Sequence, residues 1–151
     1  MDVDVQLDFN WGIQAGRSSL SLQLVGNWIL VVEDDADTRE VLVEALHESG
    51  FAALGTSCVV EAFNAIVEKS PALVLSDINL GDSNAGELLD MAMKILGPAA
   101  PPFVFVTGMP AWHLTGAATS VPVLRKPVKV DALLDVVAKY CLRTPNAPPL
   151  A

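Results

Sequence analysis

The apolar positions of this chain follow two rhythms. From Trp28 onward, short unbroken apolar runs recur at residues 28–32, 51–54, 72–75, 102–106 and 121–124. Runs of this length read as strands, and those at 28–32 and 72–75 as strands buried on both faces. Between them the apolar spacing becomes helical. Asp37 with Glu40 three residues later forms a capping-box start for a helix burying Val41, Leu42, Ala45 and Leu46, and Gly50 stops it. Ser57 is the expected cap of a second helix carrying Val59, Ala62, Phe63 and Ile66, ended by Pro71. Residues 86–96 turn Leu88, Leu89, Ala92, Ile95 and Leu96 inward before Gly97 and Pro98 close the helix. The last helix spans 129–142, with Leu133, Leu134, Val137 and Tyr140 spaced to pack.

Residues 109–120 contain Pro110 and Gly116 and are poor in helix signals, so a short, irregular or mobile helix is expected there. Pro122 lies inside the fifth apolar run, which confines that strand to a sheet edge. Strands alternating with helices predict an α/β doubly wound parallel sheet with right-handed crossovers. Residues 1–27 keep a different rhythm. Val3, Val5, Leu7 and Phe9, then Leu20, Leu22 and Leu24, alternate with polar neighbours around Gly12 and Gly16. That period of two suggests a β-hairpin extension, which must dock on something or stay loose, since a lone hairpin is marginal in water. Residues 28–143 form the expected domain. From Thr144 a Pro-rich tail is expected to be disordered and too short for an effector.

Composition narrows the function. The chain has 151 residues, enough for about one domain, and its 52% hydrophobic content supplies the excess that a parallel sheet needs. A formal net charge of −9 without a Lys/Arg cluster argues against nucleic acid and suits a cationic ligand or a metal. Cys58 and Cys141 lack metal-ligand spacing and read as buried free thiols in helices. The acidic amino terminus does not resemble a signal peptide, and no apolar run approaches the ~18 residues of a membrane span. A cytoplasmic, reducing location is expected.

The strand ends carry the chemistry. Glu33 and Asp34 follow the first strand, Asp77 ends the third, Thr107 the fourth, and Lys126 follows the fifth. In a flavodoxin-like order, 2-1-3-4-5, these groups gather at the crevice outside the carboxyl ends of the strands. The motifs Val32-Glu33-Asp34, Leu75-Ser76-Asp77, Val106-Thr107-Gly108 and Arg125-Lys126-Pro127, in this order and spacing, resemble the receiver domain of two-component response regulators over residues 28–142.

Three gathered carboxylates repel by about 4 kcal/mol per close pair at 4 Å and an effective dielectric of ~20. A cation must intervene, and Mg²⁺ is the hard ion suited to one or two carboxylates, waters and phosphate oxygens. Asp34 and Asp77 are its expected direct ligands, Glu33 acts through water, and the Asn79 backbone carbonyl adds an oxygen. An ionised carboxylate beside Mg²⁺ is a competent nucleophile toward phosphorus. Lys126 and the metal offset phosphoryl charge, Thr107 hydrogen-bonds a phosphoryl oxygen, and Gly108 leaves room for it. The resemblance implies that Asp77 accepts a phosphoryl group from a phosphohistidine on a histidine kinase or phosphotransfer protein. It also implies a Thr107 movement that pulls the 109–124 region, and a cis Lys126–Pro127 peptide.

The chain departs from the family where many receivers carry a switch aromatic, three residues before Lys126. Val123 stands there, so an aromatic rotamer flip cannot be the output signal; Trp112 is a candidate substitute, though packing is its bland reading. The 103–108 and 121–127 stretches resemble receivers of stress-response and blue-light histidine-kinase systems, which occur alone or as kinase appendages. The 1–27 hairpin resembles the last strands of a kinase ATPase domain, which points to descent from a hybrid histidine kinase. Without Gly-rich nucleotide-binding elements, kinase activity is not expected. Asp35 reads as a cap or a solvated acid, His47 as a surface residue, and His113 has no sequence partner.

The leading expectation is a single-domain response regulator that signals by protein contact or drains phosphoryl groups from a shared kinase. It would be no enzyme beyond chemistry on its own Asp77. A phosphorylation-independent pseudo-receiver binding module, or the receiver piece of a hybrid histidine kinase, is the alternative. A Mg²⁺-dependent phosphatase would need a second acid two residues after the nucleophile, where Asn79 stands.

Overall fold

A computed structural model describes residues 26–108 and 114–143. The expectations for the 1–27 hairpin, for Trp112 and His113, and for the tail beyond 143 lie outside the described residues, apart from Gly26 and Asn27.

The chain builds β1 (Ile29–Val32), α1 (Ala36–Glu48), β2 (Ala53–Thr56), α2 (Val59–Lys69) and β3 (Leu73–Asp77). It continues through α3 (Ala85–Leu96), β4 (Phe103–Thr107), β5 (Val123–Arg125) and α4 (Val130–Val137). The sheet order is β2-β1-β3-β4-β5 and every pairing is parallel. The expected 2-1-3-4-5 arrangement is therefore the one observed.

Successive side chains of a strand point to opposite faces of the sheet. Leu30 and Val32 of β1 enter a core under α2 and α3, whereas Ile29 and Val31 enter a second core under α1 and α4. Both faces are covered, so β1 has no position for a polar residue and reads as an unbroken apolar run. Polar side chains begin where the strand ends, and that is where the acids stand.

Several local expectations are corrected. Asp35, in extended backbone, caps α1 by accepting the Thr38 N–H at 2.8 Å; Asp37 lies inside the first turn. Leu42 and Leu46 form the buried face of α1 with Val43 beside them, and Val41 is 64% exposed. Cys58, not Ser57, is the N-cap of α2 and makes no side-chain cap bond. Ser57 instead gives both its N–H and its hydroxyl to Glu61 Oε1, at 3.0 and 3.1 Å. β2 begins two residues later than expected, because the register pairs Ile29 with Ala53; Phe51 and Ala52 form its buried approach. Ile95 of α3 is 61% exposed. Pro122 stands immediately before β5, so its missing N–H falls outside the strand itself, and its carbonyl accepts the Phe105 N–H at 2.9 Å. α4 ends at Val137, and Tyr140 lies beyond it on the surface.

α3 is capped by Asn84, whose Oδ1 accepts the Glu87 N–H at 3.0 Å. Asn84→Ala is expected to destabilise the fold by about 1 kcal/mol, the usual effect of losing such a cap, read as a shift of the urea midpoint at constant slope.

The thiols differ in environment. Cys141 is buried after α4, and that burial pushes its thiol from 9.0 up to about 11, whereas Cys58 is partly exposed. Near pH 8, a disulfide reagent is expected to label Cys58 first and Cys141 only through unfolding. A raised thiol value favours the protonated folded form. The contribution of Cys141 is complete below about pH 9 and is lost as pH rises toward about 11, a loss that Cys141→Ala should not show.

Candidate functional site

β1 and β3 are neighbours, with Val32 beside Ser76, so the residues that follow them emerge side by side. Carboxylate oxygens of Glu33, Asp34 and Asp77 all lie within 4.8 Å of one another. Glu33 is buried, Asp77 is half-buried and Asp34 is exposed. Lys126 reaches in from the far side: its Nζ is 2.8 Å from Glu33 Oε1 and 3.4 Å from Asp77 Oδ2. The lysine is delivered by the end of the β4–β5 ladder, where its N–H donates to the Thr107 carbonyl at 2.8 Å. The Lys126–Pro127 peptide is cis, as the resemblance implied.

Both oxygens of Glu33 have partners, since Oε2 also accepts the Asp35 N–H at 3.2 Å. This suits Glu33 to a supporting part and leaves Asp34 and Asp77 as the more available oxygens. Burial raises the Glu33 carboxyl above its ordinary value, outweighing the Lys126 hydrogen bond that lowers it. Desolvation works against the Lys126 ammonium, but the Glu33 hydrogen bond and the Asp77 charge outweigh it and raise its value. The cluster therefore holds three acids against one ammonium. All its side-chain donors are carboxylate oxygens, a set that fits a hard divalent cation.

Thr107 is buried at the end of β4, next to Asp77 in the sheet order. Asn79 is exposed one residue beyond Ile78, at the start of a two-residue ladder that pairs Asn79 with Asn84. Gly81 makes the turn of that ladder with φ +77, and a Cβ there would lie 3.9 Å from Asp34 Oδ2. A Cβ at Gly108 would lie 3.8 Å from the Lys126 Cβ, an ordinary contact, so packing against the protein does not require glycine there. Val123 is half-buried against the α2–α3 core. His47 is not simply solvated, because its Nε2 lies 2.9 Å from the Ala53 carbonyl oxygen.

Sequence reasoning missed Arg39. Its Nη1 donates to the Glu33 backbone carbonyl at 2.8 Å. The only available sign was a long cationic residue early in the helix that follows the acids.

The family model described as "Response regulator receiver domain" matches residues 29–138. The chain belongs to the response regulator receiver family. Among curated receiver relatives, the response regulator receiver protein CpdR of Brucella abortus is 30% identical over 117 residues, covering 76% of this chain and 96% of CpdR. The phyllosphere-induced regulator PhyR of Methylorubrum extorquens is 35% identical over 121 residues; the match covers 77% of this chain but only 43% of PhyR. The solved CheY-like receiver domain from Methylobacillus flagellatus aligns with a TM-score of 0.66 at 25% identity, covering 76% of this chain and 98% of that one. As a receiver, the chain is part of two-component signalling. Among the described residues, no helix is long and apolar enough to cross a membrane.

Proposed function

We propose that this receiver accepts a phosphoryl group on Asp77 from a phosphohistidine of a histidine kinase or phosphotransfer protein, in the cytoplasm. It then signals through contact with a downstream protein or acts as a phosphoryl sink. The supporting observation is the convergence of Glu33, Asp34 and Asp77 within 4.8 Å, with Lys126 2.8 Å from Glu33 and 3.4 Å from Asp77.

Mg²⁺ would be held by Asp34 and Asp77, with Glu33 through water and the Asn79 carbonyl. When bound, it supplies positive charge beside the transferring phosphoryl oxygens. Asp77 provides the attacking carboxylate oxygen. The bond from that oxygen to phosphorus forms as the phosphorus–nitrogen bond of the donor breaks, and the imidazole leaves with the electron pair. Lys126 stands within reach of Asp77 and offsets the charge that arrives there. Thr107, at the end of the neighbouring strand, donates its hydroxyl to a phosphoryl oxygen and links the site to the segment leading into β5. With Val123 in place of an aromatic, that link works through backbone and aliphatic packing. The chain acts on its own Asp77 and turns over no other substrate.

The test is intact-mass analysis after incubation with Mg²⁺ and acetyl phosphate or phosphoramidate. A single phosphoryl adduct that is absent in EDTA is expected. No adduct with either donor would overturn the proposal in favour of a phosphorylation-independent binding module.

A further inference from the structure

The parallel ladder between β1 and β2 leaves one acceptor over at the site. Glu33 gives its N–H to the Thr56 carbonyl at 3.0 Å, continuing the register of Val32 with Thr56. In the same register, the N–H of Cys58 would be the next donor to the Glu33 carbonyl. Cys58 instead turns away to open α2. The Arg39 guanidinium takes that carbonyl at 2.8 Å, reaching back from the first turns of α1.

The stem of Arg39 passes directly over β2. A Cβ at Gly55 would meet Arg39 Cγ at 2.9 Å and Cδ at 3.0 Å, distances that force a displacement. Glycine in a strand interior is unfavourable for the strand itself and often marks such a close approach. Gly55 and Arg39 therefore read as a pair.

The Glu33 carbonyl and the Asp34 N–H belong to one planar peptide. Anchoring its oxygen fixes the plane and, with it, the Asp34 N–Cα bond, the axis about which the Asp34 side chain is set. On the far side of the turn, the Asp35 N–H is held by Glu33 Oε2 and Asp35 caps α1. Asp34 is the exposed member of the cluster, so its aim depends most on the backbone beneath it. A guanidinium suits this half-buried role better than an ammonium, being more weakly hydrated and presenting several donors in a fixed plane.

We infer that Arg39 is a positioning residue for the acid cluster: by holding the Glu33 carbonyl it aims Asp34 at the metal position, and Gly55 clears its path. The inference rests on the reading of Glu33, Asp34 and Asp77 as a Mg²⁺ site.

The experiment is an NMR titration of backbone amides with MgCl₂, together with metal-free amide exchange at Asp34 and Asp35 and the melting temperature. Arg39→Met is expected to weaken Mg²⁺ binding roughly tenfold, as loss of a group supporting metal ligands does, and to speed exchange at the turn. Gly55→Ala should weaken binding in the same direction. The double variant should bind no more weakly than Arg39→Met alone, because each change removes the same contact. Wild-type affinity in Arg39→Met, whatever its melting temperature, would overturn the inference. So would additive losses in the double variant, or full recovery in Arg39→Lys, which would assign the effect to charge alone. A wild type that shows no Mg²⁺ titration would sink the metal reading instead. In that case unchanged exchange at Asp34 and Asp35 in Arg39→Met would remove the positioning role as well, and faster exchange would preserve it.

Discussion

Asp77→Asn is expected to accept no phosphoryl group from any small donor while folding more stably than the wild type in the absence of divalent metal. The amide lacks the ionised oxygen that attacks phosphorus, so chemistry stops without a change of shape. Stability should move the other way because Asp77 shares its site with two other acids within 4.8 Å. Replacing it removes two like-charge contacts and one ion pair, whose ammonium keeps its shorter 2.8 Å bond to Glu33. The net gain is about 1 kcal/mol once solvent near the exposed Asp34 is allowed for. Urea denaturation in EDTA and in Mg²⁺ reads it: the wild type should gain stability on adding Mg²⁺, and the variant should gain much less. An adduct persisting on Asp77→Asn would place the acceptor elsewhere. A variant less stable than the wild type in EDTA would show that the ion pair outweighs the repulsion.

Lys126→Met is expected to be the most destabilising single change at the site, and its effect should depend on pH. It leaves the carboxylate of Glu33, which is 2% exposed, without the ammonium 2.8 Å away. Breaking a fully buried pair typically removes 3–5 kcal/mol; with Lys126 27% exposed, about 2–3 kcal/mol is expected at pH 7. Burial already raises the Glu33 carboxyl above its ordinary 4.5, and the Lys126 hydrogen bond opposes that rise. Without the lysine the carboxyl goes higher. A carboxyl raised on folding destabilises the protein progressively as pH climbs from its unfolded value through its folded one. The variant should therefore approach wild-type stability near pH 4.5 and fall behind it toward neutrality. Denaturation midpoints at both ends of that window check the sign. An equal deficit at both would assign the loss to packing of the lysine stem rather than to charge.

The sheet and its site were legible for the same reason. A strand covered on both faces is filled mainly by apolar residues, so its end is marked by the first acid, as Val32 gives way to Glu33 and, after the small buried Ser76, Leu75 gives way to Asp77. Five strands alternating with helices predict a doubly wound parallel sheet, and the flavodoxin-like strand order, which is the one observed, brings Glu33, Asp34, Asp77, Thr107 and Lys126 to one end of it. Helix faces were less legible. Val41 and Ile95 sit at the margin of an apolar stripe, and which margin is buried depends on where the neighbouring helix lies. At the start of α1, Asp37 reads as the capping-box residue and Asp35 as a cap or a solvated acid; the two are chemically equivalent, and only the extended backbone at Asp35 selects it.

The sequence by itself therefore determined the doubly wound architecture, the receiver resemblance and which acids, threonine and lysine make up the candidate site. These depend on residue type and spacing along the chain, which the one-dimensional pattern records. Tertiary structure alone decided that Lys126 bonds Glu33 more closely than Asp77, that Arg39 takes the carbonyl left over where β2 departs, and that Gly55 makes room for it. Each of these is a contact between a side chain and a group on another element. Its formation depends on the register and departure angle of packed strands, which no period along the chain encodes.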